Sequence, residues 1–179
     1  MTTALLIIDV QHALCTGAEA AFDIDRIIGK INALGTKARS VAAPVILIQH
    51  EEDRGPLQFG SDGWQLAAGL AAHPRDLRVR KKTPDSFHQT ELHGLLKERG
   101  ITNLAICGLQ SDFCVDTTVR RALALGYPVV LVEDGHSTIN NGVLTAAQII
   151  AHHNTTLGHM TSFGPRVTVI AAADAKFDT

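Results

Sequence analysis

Three residue types that can cooperate in covalent chemistry stand at the ends of expected strands in this 179-residue chain. Cys114 lies in GLQSDFCVDTTVRRALALG, just after a run through Leu104, Ala105, Ile106 and Cys107 that ends at Gly108. Beyond it Val115, Val119, Ala122 and Leu123 fall at helical spacing. Ser111 or Asp112 is placed to cap that helix, which puts Cys114 in its first turn. The free amides and positive dipole end of such a turn favour a thiolate, so the Cys114 pKa is expected below the ~8.5 of a free thiol. A cysteine so placed can be a nucleophile, and amides of the same turn can hold an oxyanion. The alternative is a buried structural cysteine, the commoner fate of a free thiol. Asp9 ends the first expected strand in LLIIDVQ, and Lys81 and Lys82 follow the third in RVRKKTPDSF. Each alone has a plainer reading: a turn cap for the aspartate, solvated charge for the adjacent lysines. Together, Asp, Lys and Cys at three strand ends provide what a cysteine hydrolase needs: a proton carrier, a cation that stabilises both anions, and a nucleophile.

The elements that must position them follow from an alternation of apolar runs and amphipathic segments. That alternation predicts an α/β fold, a three-layer α/β/α arrangement around a doubly wound, mostly parallel six-stranded sheet. Expected strands cover 4–9, 45–49, 77–80, 102–107, 129–132 and 167–171, and expected helices 23–42, 90–99, 112–125 and 142–157. Pro44 and Gly126-Tyr127-Pro128 mark helix-to-strand turns. The stretch from His50 to Asp76 breaks the alternation, with Gly55, Pro56, Gly60, Gly63 and Trp64, and is expected to hold a short helix around 65–72. A long loop of this kind commonly covers an active site. No repeat or linker divides the chain, so residues 1–179 read as one domain.

Composition excludes other classes. A net charge of -2 with interspersed signs gives no electrostatic surface for nucleic acid, and 4% aromatic residues give no base-stacking platform. Three cysteines without ligand-like spacing argue against a disulfide framework or a structural zinc site. MTTALLIIDV reads as a buried strand and not a signal peptide, and no apolar run reaches membrane-spanning length, so a cytoplasmic location is expected. A nucleotide-binding reading lacks its Gly-rich loop, since DVQHAL follows the first strand.

Four blocks carry a resemblance: LLIIDVQ; VRKKTPDSFHQTEL; LAICGLQSDFCVDTTVRRALALGY; and VVLVEDGHST. In that order the chain resembles the isochorismatase-like cysteine hydrolases, the superfamily of nicotinamidases, N-carbamoylsarcosine amidase and isochorismatase. The resemblance implies that Cys114 is the nucleophile and Asp9 the general acid/base. The family lysine precedes an aromatic by six residues, which points to Lys81 before Phe87; Lys82 would fit a loop one residue tighter. It also implies a cis peptide at Leu109-Gln110 and an oxyanion hole from the amides of Gln110 and Cys114. Three departures matter. Family nicotinamidases hold a metal through Asp-x-His and a further histidine, whereas ILIQHEED leaves only His50, so neither metal nor cofactor is expected. Isochorismatases proper that cleave a vinyl ether tend to lack the cysteine, so Cys114 favours acyl chemistry on an amide, carbamoyl or related C–N bond. The usual aromatic after the first-strand aspartate is replaced by Ala13 and Leu14.

Gln11, Trp64 and Leu109 are expected around a small-molecule substrate, although loop glutamines are most often hydrated and Trp64 could equally anchor its loop. Cys107 reads as structural, Cys15 as an exposable loop residue, and His136 as a cap or interface residue beyond the fifth strand. His152-His153-Asn154 reads as the cation-favouring end of a helix and not a metal site. Family habit, and the apolar Leu57, Phe59, Trp64 and Leu66 of the long loop, imply a homodimer or homotetramer. The competing readings are an isochorismatase-type hydrolase of another small metabolite and a non-catalytic binding or scaffold relative.

Overall fold

The spatial order of the strands decides where chemistry can sit. The computed structural model describes residues 2–178. Its strands are β1 (Thr3–Ile8), β2 (Val45–His50), β3 (Leu77–Lys81), β4 (Asn103–Leu109), β5 (Val129–Ser137) and β6 (Val167–Ile170). They lie in the order β3-β2-β1-β4-β5-β6, and each pairing is parallel. The winding reverses between β1 and β4, which opens a crevice at the carboxyl ends of those two strands.

Helices α1 (His12–Cys15), α2 (Ile24–Ser40), α3 (Leu92–Glu98), α4 (Asp116–Ala124) and α5 (Ala146–Gly158) complete the layers. Because both sheet faces are covered, all six residues of β1 are buried, as a central parallel strand requires. Leu5 and Ile7 pack with Ile27, Ile31 and Leu34 of α2. Leu6 and Ile8 point the other way, toward Leu92 and Leu96 of α3, Val119 and Leu123 of α4 and Leu157 of α5. α2 buries one stripe and carries Asp25 in its first turn and Lys37 and Arg39 in its last, complementing its dipole. Gly108, with φ 115°, lets β4 close on β1: a Cβ there would lie 2.1 Å from the Ile8 carbonyl oxygen. Among the described residues no helix is long and apolar enough to cross a membrane.

The differences from the sequence expectation have local causes. Residues 65–72 form turns and not a helix, because their backbone is spent on the segment after β1: His12 N donates to Gln65 O and Ala67 N to Val10 O. The expected helix from Asp112 begins instead as a five-residue π-helical turn, Ser111–Val115, with neither Ser111 nor Asp112 capping it. α5 starts at Ala146 behind a Thr145/Gln148 capping box, later than expected. β5 runs on to Ser137, so His136 is a strand residue and not one beyond it. Cys15 is buried and its thiol is pushed up to about 12 by that burial, so it is not an exposable loop cysteine. In the long loop Leu57 is buried and Trp64 and Leu66 half-buried, which leaves Phe59 as its exposed apolar side chain.

Candidate active site

β1 hands over to Asp9 at the crevice. Asp9 adopts φ 51°, a left-handed conformation that aspartate tolerates better than most residues and that recurs at functional sites. Its amide donates to Ile48 O and its carbonyl accepts from Gln11 N, so the turn is fixed on both sides. The side chain is buried. Oδ2 accepts from Lys81 Nζ at 2.6 Å, while Oδ1 is buried with no hydrogen-bond partner among the described residues. A buried carboxylate oxygen left without a donor is costly, and a catalytic role is one reason for a protein to keep one.

Lys81 is the last residue of β3 and is buried. Its ammonium has three donors and three neighbours: Asp9 Oδ2 at 2.6 Å, Cys114 Sγ at 3.2 Å and His50 Nδ1 at 3.3 Å. Burial alone would lower its pKa, but the Asp9 carboxylate and the Cys114 sulfur outweigh burial, so Lys81 stays charged. Lys82, one residue beyond the end of β3, is exposed and pairs with Asp53 at 2.8 Å on the surface.

Cys114 projects from the π-helical turn directly beyond β4, and the Leu109-Gln110 peptide that leads into that turn is cis. The thiol does not carry the depressed pKa expected of a helix start. Burial pushes it up to about 12, the ionised Asp9 adds to the shift, and Lys81 opposes it without prevailing. The resting sulfur is therefore a thiol, beside a carboxylate with an unoccupied oxygen.

His50 ends β2 and completes the cluster. Since its Nδ1 faces an ammonium, the ring is a neutral acceptor on that side; burial first and then Lys81 hold its pKa below the usual histidine value. The Gln11 side chain holds the His50 backbone twice, donating to its carbonyl at 2.9 Å and accepting from its amide at 2.8 Å. Gln11 also donates to Trp64 O at 2.9 Å. Its amide is thus consumed in tying β2, the β1 turn and the long loop together, and it does not line the cleft. Trp64 packs edge-on against Phe59 at 4.8 Å and anchors its loop, and Leu109 is buried in the core; neither lines the cleft.

The cleft that reaches these groups has a volume of about 270 Å³. Leu14, Leu57, Pro84 and Phe113 wall it, and Asp9, Cys114, Gln110, His50 and Glu52 supply its polar side. A cleft of about 310 Å³ at the amino ends of β2 and β3, lined by Arg39, Pro44 and Arg75 among others, holds no cysteine, serine or threonine. Asp9, His50 and Cys114 also bring three ligand-type atoms within 4.8 Å of one another. All three already contact Lys81 Nζ, so a metal ion would have to sit against an ammonium, and the donor set does not fit one.

One buried histidine behind the nucleophile gave no functional signal in the sequence. Asn154 of α5 donates to Glu133 O, so its Oδ1 accepts from His136 Nε2 at 2.8 Å, and His136 Nδ1 then accepts from the Ser111 hydroxyl at 2.7 Å. Thr138 bonds the Asp112 carboxylate alongside. The carboxyl end of β5 thus clamps the first two residues of the turn that carries Cys114. Burial lowers the His136 pKa from 6.5 to about 4, against the opposing bond to Asn154. A histidine with a lower pKa folded than unfolded contributes stability that is complete above about pH 6.5 and lost as pH falls toward 4, an effect of about 3 kcal/mol. Urea unfolding of the wild type is expected to weaken by that order between pH 7.5 and 4.5, and His136→Gln to flatten the slope. An unchanged slope in the variant would remove His136 from the account.

A doubly wound parallel α/β sheet brings Asp9, Lys81 and Cys114 together at its switch point. The isochorismatase domain matches residues 3–172, and the chain belongs to that family of hydrolases. It is 40% identical to streptothricin hydrolase of Streptomyces noursei over 136 residues, 75% of this chain and 54% of that protein. The chain thus spans about half the length of that relative. It is 26% identical to ureidoacrylate amidohydrolase of Caulobacter vibrioides, over 74% of this chain and 76% of the relative. A solved isochorismatase family protein superposes with a TM-score of 0.86 at 39% identity, covering 94% of this chain and 98% of that one.

Proposed function

We propose that this protein is a cysteine-dependent hydrolase of a small amide, carbamoyl or related C–N bond, acting through Cys114, Asp9 and Lys81 and a thioester intermediate. The observation that carries the reading is the buried Lys81 ammonium bridging Asp9 Oδ2 and Cys114 Sγ, with Asp9 Oδ1 left free. A thiol with a raised pKa is not a ready-made thiolate, so its proton must leave as the bond to carbon forms. Asp9 accepts that proton while Lys81 stabilises the charge passing from carboxylate to sulfur. The tetrahedral oxyanion meets the amides of Gln110 and Cys114. Asp9 then protonates the leaving nitrogen and activates the water that cleaves the thioester. A relative that is a streptothricin hydrolase supports hydrolysis, and one that is a ureidoacrylate amidohydrolase supports an amide-type bond as its target. A panel of small amides, ureides and carbamoyl compounds scored by ammonia or amine release tests it, and no turnover of any member would count against it.

No step in this scheme needs a metal. Activity is expected to survive exhaustive chelation, with no stoichiometric zinc or iron co-purifying; loss to a chelator and recovery with a divalent ion would contradict the scheme. We also propose assembly as a homodimer or homotetramer. Phe22, Phe113 and Val143 present apolar surface, Val143 with 88% of its area exposed, and a closed two-fold contact would cover such residues. Light scattering is expected to give a dimer or tetramer mass; a monomer would refute the assembly.

A further inference from the structure

The charge inventory of the cleft does not balance. Lys81 and Asp9 cancel, and the Lys81 ammonium is committed to Asp9, Cys114 and His50, all within 3.3 Å. His50 accepts from that ammonium through Nδ1 and is neutral, and the resting Cys114 is a thiol. None of the residues lining the cleft is an arginine or a lysine, and of the cations on β3 and just beyond it Lys82 is paired with Asp53 at 2.8 Å and Arg80 lies over the Phe59 ring and against Glu51. What remains is Glu52. Its backbone amide is pinned to Leu57 O, its side chain is 44% exposed, and its Oε1 lies 4.0 Å from His50 Nε2. Among the described residues it has no Lys or Arg partner within ion-pair distance.

We propose that this cleft selects its substrate by charge: it takes uncharged or cationic C–N substrates, with a cationic end lying against Glu52, and disfavours carboxylates. The inference rests on the reading of Cys114 as the nucleophile of a C–N hydrolase and names the class of molecule that site admits. A carboxylate-bearing substrate would enter between apolar walls, toward an unpaired acid and with no guanidinium or free ammonium among the lining residues to receive it. An ammonium or amidinium of similar size meets a fixed negative charge instead, and the neutral His50 adds nothing to repel it. Specificity arises here as much from the partner that is missing as from the one present. His50 also sets a lower pH bound on the effect. The groups facing its ring are Lys81, Asp9, Cys114, Glu52 and the Thr83 backbone, and protonation would cancel the Glu52 charge.

The test uses two thiol probes of similar size and opposite charge, 2-aminoethyl and 2-sulfonatoethyl methanethiosulfonate. Each forms a mixed disulfide with the cysteine and releases methanesulfinate. The rate at Cys114 of the intact protein is read by peptide mass spectrometry at pH 7.5 and low salt, and divided by the rate with a small neutral thiol. Both probes report on the same sulfur, so its reactivity cancels in their ratio. The cationic probe is expected to be favoured by about tenfold or more, falling several-fold toward parity in Glu52→Gln. A ratio near one, a preference for the anion, or a ratio unmoved in Glu52→Gln would overturn the inference. Ammonia release from 4-aminobutanamide and from succinamate, a cationic and an anionic primary amide, is measured alongside. Charge-selective labelling with no hydrolysis of any amide would leave the selectivity standing and refute the C–N hydrolase reading. Hydrolysis with no charge preference would do the reverse. No labelling of Cys114 by either probe would refute both.

Discussion

Cys114→Ala is expected to abolish turnover, a loss of at least ~10⁴-fold, because the residue forms the covalent bond and no other group in the cleft can replace it. The neighbouring architecture leaves the fold independent of the sulfur. Val115 and Val119 bury the turn against the sheet, and Ser111 and Asp112 are held by His136 and Thr138, none of which involves the thiol. Circular dichroism and the urea midpoint of the variant should therefore stay near those of the wild type. Cys15→Ala provides the contrast. Cys15 is buried away from Lys81, so its loss should leave turnover intact and cost about 1 kcal/mol of stability through the small void it creates. Substantial activity in the Cys114 variant would end the covalent mechanism.

Asp9→Asn and Lys81→Met are the next most damaging changes expected. The asparagine keeps the size of Asp9 but accepts no proton, and at least the ~10²-fold typical of a general acid-base group should be lost. It also strips the partner from a buried ammonium, so Lys81 would lose the attraction that holds it charged. Lys81→Met removes the cation and leaves Asp9 as an unpaired buried carboxylate, which should reduce both turnover and stability. Lys82→Met is the control: an exposed side chain paired only with exposed Asp53 should cost little in either measurement. A severe Lys82 variant beside a mild Lys81 variant would show that the wrong lysine bears the role.

Much of this was legible in the sequence for a specific reason. Central parallel strands buried on both faces are unbroken apolar runs, and Asp9 and Cys114 follow where those of β1 and β4 stop, while Lys81 ends the half-exposed edge strand β3. Alternation along β3 buries Val79 and Lys81 and exposes Arg78 and Arg80, and Lys82 falls past its end into solvent. Side-chain networks were not legible. Gln11 looked like a substrate contact because its position beside Asp9 says nothing of its bonds to a backbone 39 residues away. His136 depends on Ser111, 25 residues before it, and Asn154, 18 after it, and no local pattern encodes either distance. The Cys114 pKa lies above the sequence expectation because burial, and then Asp9, disfavour the thiolate more than Lys81 favours it. The start of α5 was readable after all, in the Thr145-x-x-Gln148 spacing of a capping box.

The central claim, a thioester on Cys114, is tested most directly by trapping it. The protein is mixed with p-nitrophenyl acetate, an activated acyl donor, the reaction is quenched in acid while nitrophenol is still being released, and the digested peptides are mapped by mass spectrometry. The expected result is one acetyl group per chain, on the peptide containing Cys114, absent from Cys114→Ala and slow to form in Asp9→Asn. Nitrophenol release that continues undiminished in Cys114→Ala, with no acyl group on Cys114 in the wild type, would contradict the mechanism.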